Sequence, residues 1–191
     1  MTSPTPKRRN APRTKAQILA AAQQAFAEEG YAQTGIREIA AQAGVTSPML
    51  HRYFGTKASL FETALAETIH IEGLFDAPRH DFGELLASVL RDPDSNLLGP
   101  SIVALAIGHT DARDIAAHAA KVHVLEPLAE WLGPPDGAER AFEIVMMGMG
   151  FVLCSRQLPL LPDGDRDVAN ISEWFAQTVQ AIVDRSAAQK T

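Results

Sequence analysis

The residues from Thr46 to Lys57 carry the side chains with the most to offer chemically: Thr46, Ser47, His51, Arg52, Tyr53 and Lys57, interleaved with Pro48, Met49, Leu50 and Phe54. On a helix turning about 100° per residue, Thr46, Tyr53 and Phe54 fall within roughly 60° of Leu50, whereas Pro48 and Arg52 point nearly opposite, flanked by Met49 and His51. Leu50 and Phe54 therefore face a core. The outward face then offers hydroxyls, an imidazole and a guanidinium, groups that pair with base edges and phosphates in a nucleic-acid groove. This is chemistry of recognition rather than bond breaking. The competing reading is a surface helix of an ordinary helical bundle, and periodicity alone does not separate the two.

The preceding segment is built to present that helix. Ile36, Ile39, Ala40 and Ala43 lie at i, i+3, i+4 and i+7 on one face of a short helix. Gly44 suits the left-handed conformation that ends it, and Thr46 offers an N-cap for the next. Two short helices joined by a Gly-containing turn form a helix-turn-helix. Upstream, a first helix is predicted over 12–29, ended by Gly30, with Ile18, Ala22 and Phe26 inward. Thr34 is expected to cap the second helix and leave backbone N–H groups for a phosphate, with Arg37 one turn on reaching the same backbone or a base. After Gly55, Thr56 caps a helix predicted to run from Lys57 to about Gly73 with Leu60, Phe61, Ala64, Leu65, Thr68 and Ile69 as its apolar stripe. Lys57 is assigned to a phosphate.

The chain has 191 residues, 46% of them hydrophobic but only 6% aromatic, so aliphatic side chains must do most of the packing. Its net charge of -6 argues against a nucleic-acid partner until position is considered. Residues 1–57 hold eight basic and three acidic side chains, a balance of +5, which leaves -11 for the remainder. A basic head on an acidic body offers one end to phosphates and keeps the other away. Lys7-Arg8-Arg9 lie in a segment, 1–11, with prolines and no apolar periodicity, which reads as a flexible basic arm that either touches DNA or is merely solvated.

Beyond residue 73 the pattern predicts a helical body, 74–191, with a connection over 74–80 and helices over 81–91, 96–108, 111–132, 136–158 and 167–186. Pro127 falls inside the third of these and should kink it. No strand-length alternation appears, so the expected fold class is all-α: an N-terminal three-helix helix-turn-helix domain, 12–73, joined by a long helix to a helical body.

Other chemistries fit the sequence poorly. His109, His118 and His123 are spaced by nine and five residues, no HExxH is present, and the single Cys154 offers no thiolate cluster, so no metal site is expected. Cys154 is expected to be buried and inert. Asp163, Asp165 and Asp167 echo the start of a calcium loop, but Val168 stands where that loop needs Gly and Trp174 where it needs Glu. Gly148-Met149-Gly150 lacks the third Gly and the preceding strand of a nucleotide loop. No cofactor is predicted, and no nucleophile, base and orienter can be picked out, so the expectation is a protein that is not an enzyme. Without an apolar run of about 18 residues or the apolar core of a signal peptide, the expected location is the cytoplasm, with no membrane partner. Adaptable apolar side chains suggest a small-molecule pocket walled by His109, His123, Trp131, Met146, Met147 and Phe151. The run Phe142–Leu153 is apolar nearly all round, which suits burial or a face shared with a partner, with Gly148 and Gly150 permitting close helix approach.

Gln17, Ile18-Leu19, Ala22, Phe26, Glu29-Gly30-Tyr31, Thr34, Ile39-Ala40, Ala43-Gly44-Val45, Leu50, Phe54 and Lys57 to Leu60 occur in an order that resembles the N-terminal domain of the TetR family of transcriptional regulators. The likeness covers about a third of the chain. It implies a homodimer that binds a palindromic double-stranded DNA operator as a repressor and leaves it when a small-molecule effector enters the body. It also implies that the helix beginning at Lys57 is the lever between the two, and that the helices holding Phe142–Leu153 and Ile171, Trp174, Phe175, Val179, Ile182 and Val183 form a four-helix dimer interface. His51 stands where the family commonly has Tyr, and Tyr53 where it commonly has His; a ring is kept at both, and either can be the one that meets a phosphate. The alternative is a helical-bundle small-molecule-binding protein or enzyme in which the motif is only structural.

Overall fold

The computed structural model describes residues 11–69, 71–92, 97–158, 160 and 165–185, and every regular element among them is helical. Residues 1–10 of the basic arm, Pro93 and the 161–164 connection with Asp163 lie outside the described residues, as do the side chains of Asp165 and Asp167, and Ala11, the last residue assigned to the arm, opens the first helix. The order is α1 (Ala11–Gln33), α2 (Ile36–Gln42), α3 (Ser47–Phe54), α4 (Lys57–Ala66), α5 (Glu72–Phe75), a 3-10 turn (Arg79–Asp81), α6 (Phe82–Arg91), α7 (Leu98–Ala106), α8 (Thr110–Ala120), α9 (Glu126–Leu132), α10 (Gly137–Val152) and α11 (Asp165–Asp184).

Gly30 breaks α1 where the sequence places the end of the first helix: its φ of 76° is open to glycine and poor for other residues. The added last turn carries Tyr31. Pro127 does not end the helical run. Instead a π-helical turn, Lys121–Leu125, joins α8 to α9, and the Glu126 N–H donates to the Lys121 carbonyl five residues back. Widening the turn ahead of a proline accommodates the ring and the missing N–H while the helix continues.

The lever helix is shorter than expected. It ends at Ala66, because the Thr68 hydroxyl takes the Leu65 carbonyl at 2.6 Å and the Thr68 and Ile69 N–H groups turn back on Leu65 and Ala66. Its link to the body is lateral: Leu60, Phe61, Ala64 and Leu65 share one core with Ile18, Ala22 and Phe26 of α1, Ile39 and Leu50 of the helix-turn-helix, and Ile102, Ala106, Ala112, Ala116 and Ala119 of α7 and α8. The head therefore rests on α7 and α8.

A second core joins Phe82, Ala87 and Leu90 of α6, Leu128 and Leu132 of α9, Ala141, Ile144 and Val152 of α10 and Phe175, Val179 and Val183 of α11. One buried cation ties its helix ends. Arg140, 3% exposed, gives Nη2 to the Leu132 and Gly133 carbonyls and Nη1 to that of Val183, and Nε lies 3.0 Å from Asp136 Oδ1. Those carbonyls include the orphan acceptors that close α9 and α11, so the guanidinium does the work of a C-cap for two helices. Cys154 is half-buried rather than enclosed. Gly148 has only an ordinary contact with Leu90 and Gly150 faces open space, so within the chain neither glycine serves close helix packing.

Candidate nucleic-acid interface

The turn between α2 and α3 is closed by backbone geometry. Val45 N–H donates to the Ala40 carbonyl at 2.9 Å and Gly44 N–H to that of Ala41 at 3.1 Å, the paired bonds of a Schellman motif, with Gly44 at φ 66°. Val45 packs back on the first core. Thr46 is then extended at φ -92°, ψ 150°, and its carbonyl receives the Met49 and Leu50 N–H groups. Its hydroxyl makes no cap bond, so it is left on the exposed end of the helix. Pro48 sits in the first turn, where a missing N–H is harmless.

α3 stands on Leu50 and Phe54, both buried, and turns Pro48, His51 and Arg52 to solvent with Ser47 and Met49 half-exposed beside them. The angular reading of this helix from sequence holds for Leu50 and Phe54 inward and for Pro48, His51 and Arg52 outward, while Thr46, on the inward side by angle, is exposed at the helix end. Three further contacts shape the face. The Arg52 guanidinium lies 5.6 Å from the centre of the Tyr53 ring, and Tyr53 itself is half-buried against the first core. The Lys15 ammonium approaches the Phe54 ring at 6.0 Å. His51 Nδ1 lies 2.6 Å from the carbonyl oxygen of Gly55, the residue that ends α3 at φ 71°.

Thr34 does not cap α2. It is 1% exposed, and its hydroxyl donates to the Gly30 carbonyl at 2.7 Å and to that of Ala25 at 3.2 Å. It satisfies the end of the first helix and is withdrawn from any phosphate. The cap is Gly35, whose N–H donates to Glu38 Oε2 at 2.8 Å. The Gly35-to-Glu38 spacing was a readable signal: Gly ranks beside Thr as an N-cap residue, and a Glu three residues on can reach back to the cap N–H. Arg37 is exposed on α2.

Lys57 opens α4 half-buried, its ammonium 4.4 Å above the Tyr31 ring. Burial holds its pKa below the ordinary 10.5, and the nearby Glu38 carboxylate works the other way. Tyr31 is a hub that periodicity did not reveal: it meets Phe61 edge-on at 5.0 Å, stacks with Phe26 at 6.1 Å and meets His109 at 4.8 Å.

The side chains predicted to wall a pocket are divided: Trp131, Met147 and Phe151 pack against one core, and His109, His123 and Met146 do not join them. His109 caps α8 and faces Tyr31 in the first core. Trp131 lies in the second, stacked on Phe82 at 4.7 Å and Phe75 at 5.5 Å with the Arg79 guanidinium 4.7 Å from its ring. Phe151 packs on Phe175, Met147 is half-buried in the same core, and His123 and Met146 are exposed. Two cavities among the described residues lie elsewhere. One, of about 300 Å³, lies between α6 and α11 and is lined by Glu84, Ala87, Arg91, Ala169, Ser172 and Glu173. The other, of about 350 Å³, lies between α1 and α2 by Gln17 and Gln42. Periodicity assigns each residue a face of its helix but not which of two cores that face meets. Among the described residues no group of His, Cys, Asp or Glu is arranged to hold a metal ion, and no helix is long and apolar enough to cross a membrane.

A trihelical head presenting α3 on a helical body defines the class: a helix-turn-helix protein of all-α, two-part architecture. Residues 18–64 match the model of bacterial regulatory proteins of the tetR family, and residues 81–183, more than half of the chain, match the tetracyclin repressor-like C-terminal domain. The chain belongs to the TetR family.

An HTH-type transcriptional repressor of Mycobacterium tuberculosis is 36% identical over 107 residues, 48% of this chain and 56% of that protein. The HTH-type transcriptional activator FasR of Mycolicibacterium smegmatis is 35% identical over 65 residues, 34% of this chain and 29% of the relative. The chain thus spans about a third to a half of the curated relatives it matches. Among solved structures, a TetR-family transcriptional regulator from Rhodococcus sp. superposes with a TM-score of 0.71 at 18% identity, covering 91% of this chain and 100% of the other. A TetR-family regulator from Streptomyces coelicolor A3 gives 0.59 at 26%, covering 95% and 100%.

Proposed function

We propose that the protein is a homodimeric transcriptional repressor that binds a palindromic double-stranded DNA operator through α3 and leaves it when a small-molecule effector binds the body. The observation that carries this reading is the outward set Thr46, Pro48, His51 and Arg52 on a helix whose opposite face, Leu50 and Phe54, is fixed in a core. A rigidly seated helix with a polar exposed face is what groove recognition needs. Arg37, Thr46, Ser47, Pro48, Met49, His51 and Arg52 meet base edges or the adjoining backbone, and Tyr53 and Lys57 hold phosphates.

One such helix makes few base contacts, and a two-fold pair reads two half-sites about 34–36 Å apart or a multiple of that. The pairing face we assign is α10 with α11, where Phe142, Met146 and Trp174 are 60%, 59% and 60% exposed while Ile144, Phe175 and Val179 are buried. Large apolar side chains left at the surface suit an interface. The shared core of α4 with α7 and α8 supplies the route by which a body state biases the head. Release of duplex by some members of a small-molecule panel, with others inert, is the expected behaviour. Selecting bound duplexes from a random pool and repeating with that panel tests the reading. Recovery of no enriched sequence, or an affinity that no compound alters, would count against it.

A further inference from the structure

The recognition helix fixes the hydrogen-bonding state of one of its own exposed side chains. His51 Nδ1 lies 2.6 Å from the Gly55 carbonyl oxygen, and an oxygen of that kind only accepts, so the hydrogen resides on Nδ1. The anchor is itself secured, since the Gly55 N–H returns to the His51 carbonyl at 2.8 Å and closes the helix there. Two hydrogen bonds thus join residues 51 and 55. A neutral imidazole carries a single N–H, which leaves Nε2 with a lone pair and no hydrogen to give. His51 is exposed on the same outward face as Pro48 and Arg52.

A ring in that state has few partners in a duplex. Phosphate oxygens accept only, and so do guanine N7 and O6 and thymine O4. In the major groove the hydrogens on offer are those of adenine N6 and cytosine N4. We infer that His51 is a specificity-determining residue, whose Nε2 accepts a hydrogen bond from the exocyclic amino group of an adenine or cytosine. The inference rests on the operator-binding reading above. It also divides the labour between the two aromatic positions of α3: His51 reads a base, and the phenol of Tyr53, a natural donor, is the ring suited to a phosphate.

The test is duplex selection from a random pool at pH 8, where an ordinary imidazole is neutral, with the full-length protein and its His51→Phe variant. In each half-site the wild type should favour adenine or cytosine over guanine or thymine at one position by about tenfold, the scale of one hydrogen bond. The variant should keep the rest of the site and lose that single preference. A second measurement needs no altered protein. Replacing the selected adenine or cytosine by an analogue lacking the exocyclic amine should weaken wild-type binding about tenfold. Identical base preferences in both proteins would overturn the inference, as would a loss of affinity by His51→Phe on every duplex alike, the mark of a phosphate anchor. A wild type that retains no duplex from the pool would overturn the operator reading itself, and the role of His51 with it.

Discussion

The Lys57 ammonium lies 4.4 Å above the ring of Tyr31, whose edge meets His109 at 4.8 Å, so one aromatic side chain touches both the first residue of the lever and the cap of a body helix. A cation held on a ring face loses part of its hydration, and that agrees with the lowered pKa of Lys57. The arrangement aims one positive charge from the start of α4 without tying it to a base. Lys57→Ala should therefore weaken binding to all duplexes alike and reduce the dependence of log K on log salt by about 1. Titrations of cognate and random duplex at several salt concentrations check it.

Arg52 is predicted to behave oppositely. Its guanidinium is exposed and steadied against Tyr53, which suits a forked contact to a base edge. Arg52→Ala should cost about 1–3 kcal/mol on the preferred site and little on random duplex. Equal losses on both would move Arg52 to the phosphate group of contacts.

The burial of Tyr31 also predicts an alkaline signature in stability. Burial first, and then the Asp111 carboxylate, raise the Tyr31 pKa above its ordinary 10.0, so the unfolded chain gives up that proton before the folded one. Stability from this group is present below pH 10.0 and is lost as pH rises through the folded value. Lys57 runs the other way: its folded pKa is below 10.5, so its contribution grows as pH rises to 10.5. Tyr31→Phe keeps the ring and deletes the loss. Thermal melts from pH 8 to 10.5 should show the variant gaining on the wild type only above about pH 10. A difference that stays constant with pH would contradict the assignment.

The crossing of α6 on α11 depends on a missing side chain. A Cβ on Gly83 would come 2.2 Å from the Ala176 carbonyl oxygen and 3.0 Å from Gln180 Cβ, while the Gly83 N–H donates to Gln180 Oε1 at 2.9 Å. Backbone cannot yield as a flexible side chain does. Gly83→Ala is expected to destabilise by about 1–3 kcal/mol or more, read as a lowered denaturant midpoint.

The exposed ring of Trp174 supplies the test of assembly. Trp174→Glu places a charge on the face assigned to the partner subunit while leaving Phe175 and Val179 in the core. The variant should fold, sediment as a monomer and lose most of its affinity for a two-half-site duplex. A dimer of unchanged stability would move the interface elsewhere.

How much of this was legible in the chain depended on the range of the forces involved. The helix-turn-helix was, because Gly44, Leu50 and Phe54 act through local geometry and a repeat of 3.6 residues. So were the helical breaks at Gly30 and Gly55 and the cap at Thr56, each settled within a few residues. Contacts between distant segments were not. Thr34 has the chemistry of a cap, yet the fold buries it and gives its hydroxyl to α1. The stripe from Leu60 to Ile69 suits one long helix, and the Thr68 hydroxyl ends it early. His109 and Trp131 both suit a pocket wall, and packing sends them to different cores. The ordered motif residues from Gln17 to Leu60 carried the family resemblance, and spacing determined the all-helical class and the outward face of α3, since these follow from each residue's own preferences and those of its near neighbours. Which side chains share a cavity, which hydroxyl is spent internally and which ring carries Lys57 were decided by tertiary structure alone, because they depend on where residues far apart in the chain come to rest against one another.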